Sequence, residues 1–128
     1  MKYIFVLLML PLVCIGEEYQ WADTCNRDQR SMNTCAGEMF KFYDQQLNAL
    51  YSKQMKHLQT SSRKTALKKS QRAWIEFRDL DCLYEAGKRE DSGSIWPLIH
   101  NSCLADRTKT RVKELRAFVA CRDNGCPY

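Results

Sequence analysis

Only three prolines, five glycines and two histidines occur among the 128 residues, and no stretch alternates apolar and polar positions as a strand would. With so few breakers, long helices can run without interruption. The longest apolar run, from Tyr3 to Ile15, covers 13 residues, short of the ~20 that cross a bilayer. No Cys-x-x-Cys pair occurs and His57 and His100 stand alone, which argues against a structural zinc site with its short-spaced ligands. Nor is there a glycine-rich phosphate loop, a Ser-His-Asp order with an elbow motif, or a pair of carboxylates in an evident cleft. Glu76, Asp79 and Asp81 read as surface carboxylates of a helix. No catalytic residue, metal or cofactor is therefore expected.

What is present starts with the N-terminus. Lys2 followed by the short apolar run and the polar switch at Gly16-Glu17-Glu18 has the form of a secretory signal peptide. Cleavage is expected after Gly16, leaving one domain over 17–128. A lipid anchor at Cys14 is not expected, because Val13 is bulky where acylation wants a small residue. Removal of the leader takes Cys14 with it and leaves Cys25, Cys35, Cys82, Cys103, Cys121 and Cys126. An even set in an exported chain implies a disulfide framework, whose connectivity sequence alone leaves open. The formal net charge of +5 includes Lys2. Nucleic acid is a poor partner for an exported chain, so the mild positive charge points to an anionic wall polymer, a membrane surface or an acidic protein face.

Three helices are expected. The first runs from about Asp28 to Leu58 with an apolar stripe through Met32, Ala36, Met39, Tyr43, Leu47 and Leu50, which Gln54 interrupts. Thr60-Ser61-Ser62 supplies a break and an N-cap. The second helix carries Leu67, Trp74, Phe77 and Tyr84 on one side and reaches the charged stretch Lys88–Asp91. Gly93 makes a turn and Ser94 caps a third helix, which is free to bend near Arg107-Thr108 and is followed by a short tail from Cys121. The fold class is thus all-α, a small disulfide-stapled bundle of about three helices. On this layout the favoured pairing is Cys25–Cys35, Cys82–Cys103 and Cys121–Cys126.

Cys35-Ala36, the run Asp44–Tyr51, Gln71-Arg72-Ala73-Trp74-Ile75-Glu76-Phe77-Arg78-Asp79, Cys82, Gly93-Ser94, Cys103 and Thr108-x-x-Arg111-x-x-x-Leu115 together resemble the LprI-type family. That is a helical, disulfide-bonded family of exported bacterial proteins named for a lysozyme inhibitor. The resemblance implies a periplasmic or envelope-associated protein, and it runs from about Cys25 to Leu115. Cys121 and Cys126 depart from it, lying beyond the family's usual four cysteines.

Trp74 and Phe77, three residues apart on a helix, are expected in the core. Arg78 is expected to pair with Asp44 across the first two helices, with Asn48 satisfying a nearby buried group. Arg63, Lys64, Lys68, Lys69 and Arg72 form a basic face at the start of the second helix, where positive charge opposes the helix dipole. The segment Glu85–Ser94 carries Glu85, Glu90 and Asp91, carboxylates suited to a cationic lysozyme. Three functions follow as expectations. The first is a non-enzymatic envelope protein that covers the cleft of lysozyme or a related wall hydrolase with that loop. The others are an accessory module docking an envelope protein or anionic wall component through the basic face, and an immunity protein that neutralises an imported toxin.

Overall fold

The computed structural model describes residues 18–128. The signal peptide, its cleavage after Gly16 and Cys14 lie outside the described residues. Three long helices, α1 (Gln29–His57), α2 (Ser61–Ala86) and α3 (Trp96–Ala120), account for most of the chain, with short 3₁₀ turns before α1 and α3 and no strand among the described residues.

Each helix start has a local cause. Asp28 accepts from the Ser31 backbone N–H (2.7 Å) while Ser31 Oγ accepts from the Asp28 N–H (3.0 Å), a reciprocal capping box that satisfies two otherwise orphaned donors. The Ser31 N–H bond, with the Ser31 hydroxyl close by, holds the Asp28 carboxyl below its ordinary pKa. Thr60 Oγ1 accepts from the Arg63 N–H (3.2 Å) and starts α2. Ser94 does not cap α3: it sits in the 3₁₀ turn Gly93–Ile95, and its carbonyl accepts from Asn33 Nδ2 of α1 (2.9 Å). Pro97 instead starts α3, its fixed φ suiting the first turn. The helix then runs unbroken through Arg107 and Thr108.

Cross-helix partners define the directions. Asn33 reaches Ser94, and Gln54 of α1 is bonded by Arg122 just beyond α3, so α1 and α3 run parallel. Cys82–Cys103, Arg78–Thr108 and Gln71–Arg111 join α2 to α3 in the opposite sense. The arrangement is up-down-up, with α3 packed mainly along α1 and more lightly on α2. Leu47, Val112 and Leu115 form one core cluster, flanked by Leu50, Tyr51, Leu67 and Trp74. Cys82, Cys103 and Leu104 form a second, against Phe40. Disulfides also join Cys25 to Cys35 and Cys121 to Cys126. Gln54, the polar break in the α1 stripe, is buried beneath the tail and contacts the Pro127 carbonyl (3.5 Å).

Phe77, expected in the core, and Tyr84, expected on the same side of α2, are both outside. Phe77 is 60% exposed and Tyr84 89% exposed. Only Gln71, Arg78, Cys82 and Ala86 of α2 are buried. They and half-buried Leu67 and Trp74 occupy the stripe that α3 covers, so Phe77 and Tyr84 fall on the other side.

Candidate functional site

The sequence-derived candidates separate into three places. The first is the corner between α2 and α3. Gly87 ends α2 at φ +71°, a left-handed conformation that glycine adopts without strain. Ser92 Oγ then donates across the turn to the carbonyls of Lys88 (2.8 Å) and Ala86 (3.2 Å). Trp96 Nε1 donates to the Gly87 carbonyl (2.9 Å). Its ring is stacked on His100 at 4.3 Å and carries the Arg89 guanidinium at 5.5 Å. Burial holds the His100 pKa below its ordinary value, against the opposing pull of Asp79. With Cys82 and Cys103 bonded at its base, the corner is held from several sides.

On this frame the one-turn 3₁₀ segment Arg89–Asp91 presents Glu90 and Asp91 to solvent, and neither enters an ion pair. An open cavity of about 550 Å³ lies beside them, lined by Leu83, Tyr84, Gly87, Lys88, Arg89, Glu90 and Trp96. Glu85 is not part of the free acidic set. It lies on α2 and faces Arg107 at 3.6 Å, whose Nε donates to Asp81 (2.7 Å).

The second place is the Arg78 network. Arg78 is buried between the rings of Phe40 (5.2 Å) and Trp74 (5.3 Å). Its Nε and Nη2 both meet Asp79 Oδ1 at 2.8 Å, whereas Nη1 lies 3.7 Å from Asp44 Oδ1 and 3.4 Å from Thr108 Oγ1. The adjacent carboxylate therefore takes the short contacts, and Asp44 is the more distant partner. Asn48 is exposed, and its Nδ2 donates to Asp44 Oδ2 (3.1 Å). It steadies a half-exposed carboxylate, because the i,i+4 spacing puts it on Asp44. A parallel network centres on Arg111, bonded to Gln71 (3.1 Å) and Glu114 (2.6 Å). Both arginines face Trp74, and both lie between helices.

The third place is the basic face. Lys64, Lys68 and Arg72 recur every four residues and form one exposed row on α2, with Lys69 beside it. None of them enters an ion pair. Arg63 leaves the row and lies over the Tyr128 ring at 5.9 Å. The Trp96–His100 stack and the exposed Leu80 and Leu83 were not singled out by the sequence. Trp96 beside Pro97 at a helix start was the signal available for the stack.

No group of metal-ligating side chains occurs among the described residues, and none of their helices is long and apolar enough to cross a membrane. Buried arginine networks, a stapled acidic corner and helices without a sheet define the class of small, disulfide-stapled helical proteins. Within that class, the chain belongs to the family described as lysozyme inhibitor LprI, whose model matches residues 22–115. It is 32% identical over 108 residues to the uncharacterized protein R02472 of Rhizobium meliloti (strain 1021), covering 75% of this chain and 77% of that one. It is 26% identical over 104 residues to the uncharacterized protein YecT of Escherichia coli (strain K12), covering 71% of this chain and 64% of that one. No solved structure matches.

Proposed function

We propose that this is an exported, non-enzymatic binding protein of the bacterial envelope that inhibits lysozyme or a related wall hydrolase. Membership of the lysozyme inhibitor family supports the target. The observation that carries the mechanism is the pair Glu90 and Asp91, exposed and without ion-pair partners on a disulfide-fixed corner. A rigid loop loses little entropy on docking, and two free carboxylates suit a cationic cleft. The chain is itself basic, so it repels a basic partner at long range. Recognition then rests on this local acidic patch, and its strength falls as salt rises. The test is lysis of bacterial walls by c-type and g-type lysozymes in the presence of the oxidised protein. Inhibition at nanomolar to micromolar protein is expected, weakened at least about tenfold by Glu90→Lys with Asp91→Lys. Full activity of both lysozymes sinks the proposal.

A second reading has its own observation: the exposed row Lys64, Lys68 and Arg72 with Lys69. These cations suit docking to an anionic wall component or to an acidic face of another envelope protein. Salt-sensitive capture on purified wall polymer, abolished by Lys68→Glu with Lys69→Glu, is its expected outcome. Capture that survives both reversals rejects it.

A further inference from the structure

The outward side of α2 carries a second seam. Five of the nine large hydrophobic residues exposed among the described residues lie on this helix: Ile75, Phe77, Leu80, Leu83 and Tyr84. Ala66, Ser70, Ala73, Phe77, Leu80 and Tyr84 are all exposed and follow one another at steps of four, three, four, three and four. That is the spacing of a coiled-coil contact line, on a helix whose other stripe already faces α3. The seam is graded: its N-terminal half is small and its C-terminal half is large.

We propose that this face pairs with the same face of a second copy, antiparallel, about a two-fold axis that crosses the seam between Ala73 and Phe77, at the level of Ile75. A two-fold pairing makes one patch complementary to itself. Centred there, Ala66 of one copy meets Tyr84 of the other, Ser70 meets Leu80, and Ala73 meets Phe77, so each large side chain lands on a small one. Beside Ala66 and Ser70 the surface opens into a largely apolar cavity of about 240 Å³, also lined by Leu58, Leu67 and Phe118. The Tyr84 ring of the partner copy is placed to enter it. Charge fits the same orientation. Residues 63–72 carry five basic and no acidic side chains, whereas 76–85 carry Glu76, Asp79, Asp81 and Glu85 against Arg78 alone. Asp79, Asp81 and Glu85 have partners within their own chain, but Glu76 and Lys69 have none. In this register Lys69 of one copy stands level with Asp81 of the other, and the partnerless Glu76, about one and a half turns along, completes the acidic half that the basic half faces. A parallel pairing would set like charge on like and large on large.

The inference does not rest on the lysozyme reading: Glu90 and Asp91 lie beyond the seam, and only Tyr84 of the seam also lines the cavity beside them. It is tested by sedimentation equilibrium of the oxidised full-length exported protein, with helix content followed by circular dichroism. A monomer–dimer equilibrium is expected at micromolar protein. Leu80→Glu and Tyr84→Ala should each weaken it at least about tenfold with helix content unchanged, both positions being at the surface. Lys69→Glu and Glu76→Lys should each weaken it, and an equimolar mixture of the two should restore a mixed dimer. A chain that stays monomeric up to about 100 µM, well above the affinity of a specific interface, overturns the proposal, as does a mixture that fails to recombine. So does a monomer that loses lysozyme binding on Leu80→Glu, which would give this face to lysozyme instead.

Discussion

At the scale of single residues, Arg78 is the most heavily committed side chain. Its guanidinium is buried, flanked by two rings, and held by one near carboxylate and one distant one. Arg78→Ala leaves Asp44 and Asp79 without their cation and opens a gap between Phe40 and Trp74. A loss of about 2–4 kcal/mol in urea unfolding is expected. Asp44→Ala should cost about 1 kcal/mol or less, because the pair is long and the carboxylate half-exposed. The two losses should be non-additive in a double-mutant cycle, and simple additivity would remove Asp44 from the network. The sequence pointed to Arg78 as a structural cation but not to its nearest partner. Asp79 is its neighbour in the chain, and which rotamer closes that contact depends on Phe40 and Trp74 crowding the other sides.

His100 gives a pH dependence of definite sign. Its folded pKa lies below the ordinary 6.5 because burial against Trp96 disfavours the charged ring. The unfolded chain therefore takes up the proton first on acidification. The stability that neutral His100 contributes is complete above about pH 6.5 and is lost as pH falls through the folded value. Thermal melts at about pH 7 and pH 5 should show a smaller acid loss in His100→Asn than in the native chain. An unchanged loss would place the titrating group elsewhere. Asp28 acts in the same direction at lower pH: its contribution is present above the ordinary carboxylate value of 3.8 and lost as pH falls through its lowered one.

At the scale of elements, the starts of α1 and α2 were the most legible feature, whereas α2 stops at Ala86, short of the expected Lys88–Asp91, and Ser94 does not cap α3. Asp28 and Thr60 cap where their side-chain chemistry says they should. The inner side of α2 was not legible, for a physical reason. That helix has two apolar lines, Leu67 and Trp74 on one and Phe77, Leu80 and Tyr84 on the other, and periodicity does not say which line a neighbour covers. The buried line is marked instead by Gln71, Arg78 and Cys82, polar and sulfur-bearing residues that join α3 by named bonds. The disulfide at Cys82–Cys103 encloses the longest interval of the three, a separation of 21 against 10 and 5. Cys82→Ala with Cys103→Ala should therefore lower stability most, by about 3 kcal/mol, against about 2 for the Cys121–Cys126 pair. Melting temperatures of the two double variants check the order, and equal losses would contradict it. The first variant should also speed amide exchange across Gly87–Ser92, the corner that presents Glu90 and Asp91.

At the scale of the whole molecule, the basic charge and the acidic corner lie at opposite ends of α2, and the outward seam runs between them, flanked by Lys69 and sharing Tyr84 with the cavity at the corner. The positive charge on α2 lies in its N-terminal half, away from the corner after its C-terminus. Binding a cationic enzyme and docking to an anionic surface are therefore compatible in one chain. The fold class could be read from helix periodicity, caps and an even cysteine set. The corner's free carboxylates could not be told from the engaged Glu85, because only the placement of Arg107 on α3 decides which acid is neutralised. The most direct measurement is a calorimetric titration of c-type lysozyme with the oxidised protein and with its Glu90→Lys, Asp91→Lys double variant. Saturable one-site binding by the native chain, strongest at low salt, is expected, with affinity at least about tenfold weaker in the variant at unchanged melting temperature. No binding by the native chain, or equal affinity of the two proteins, would contradict it.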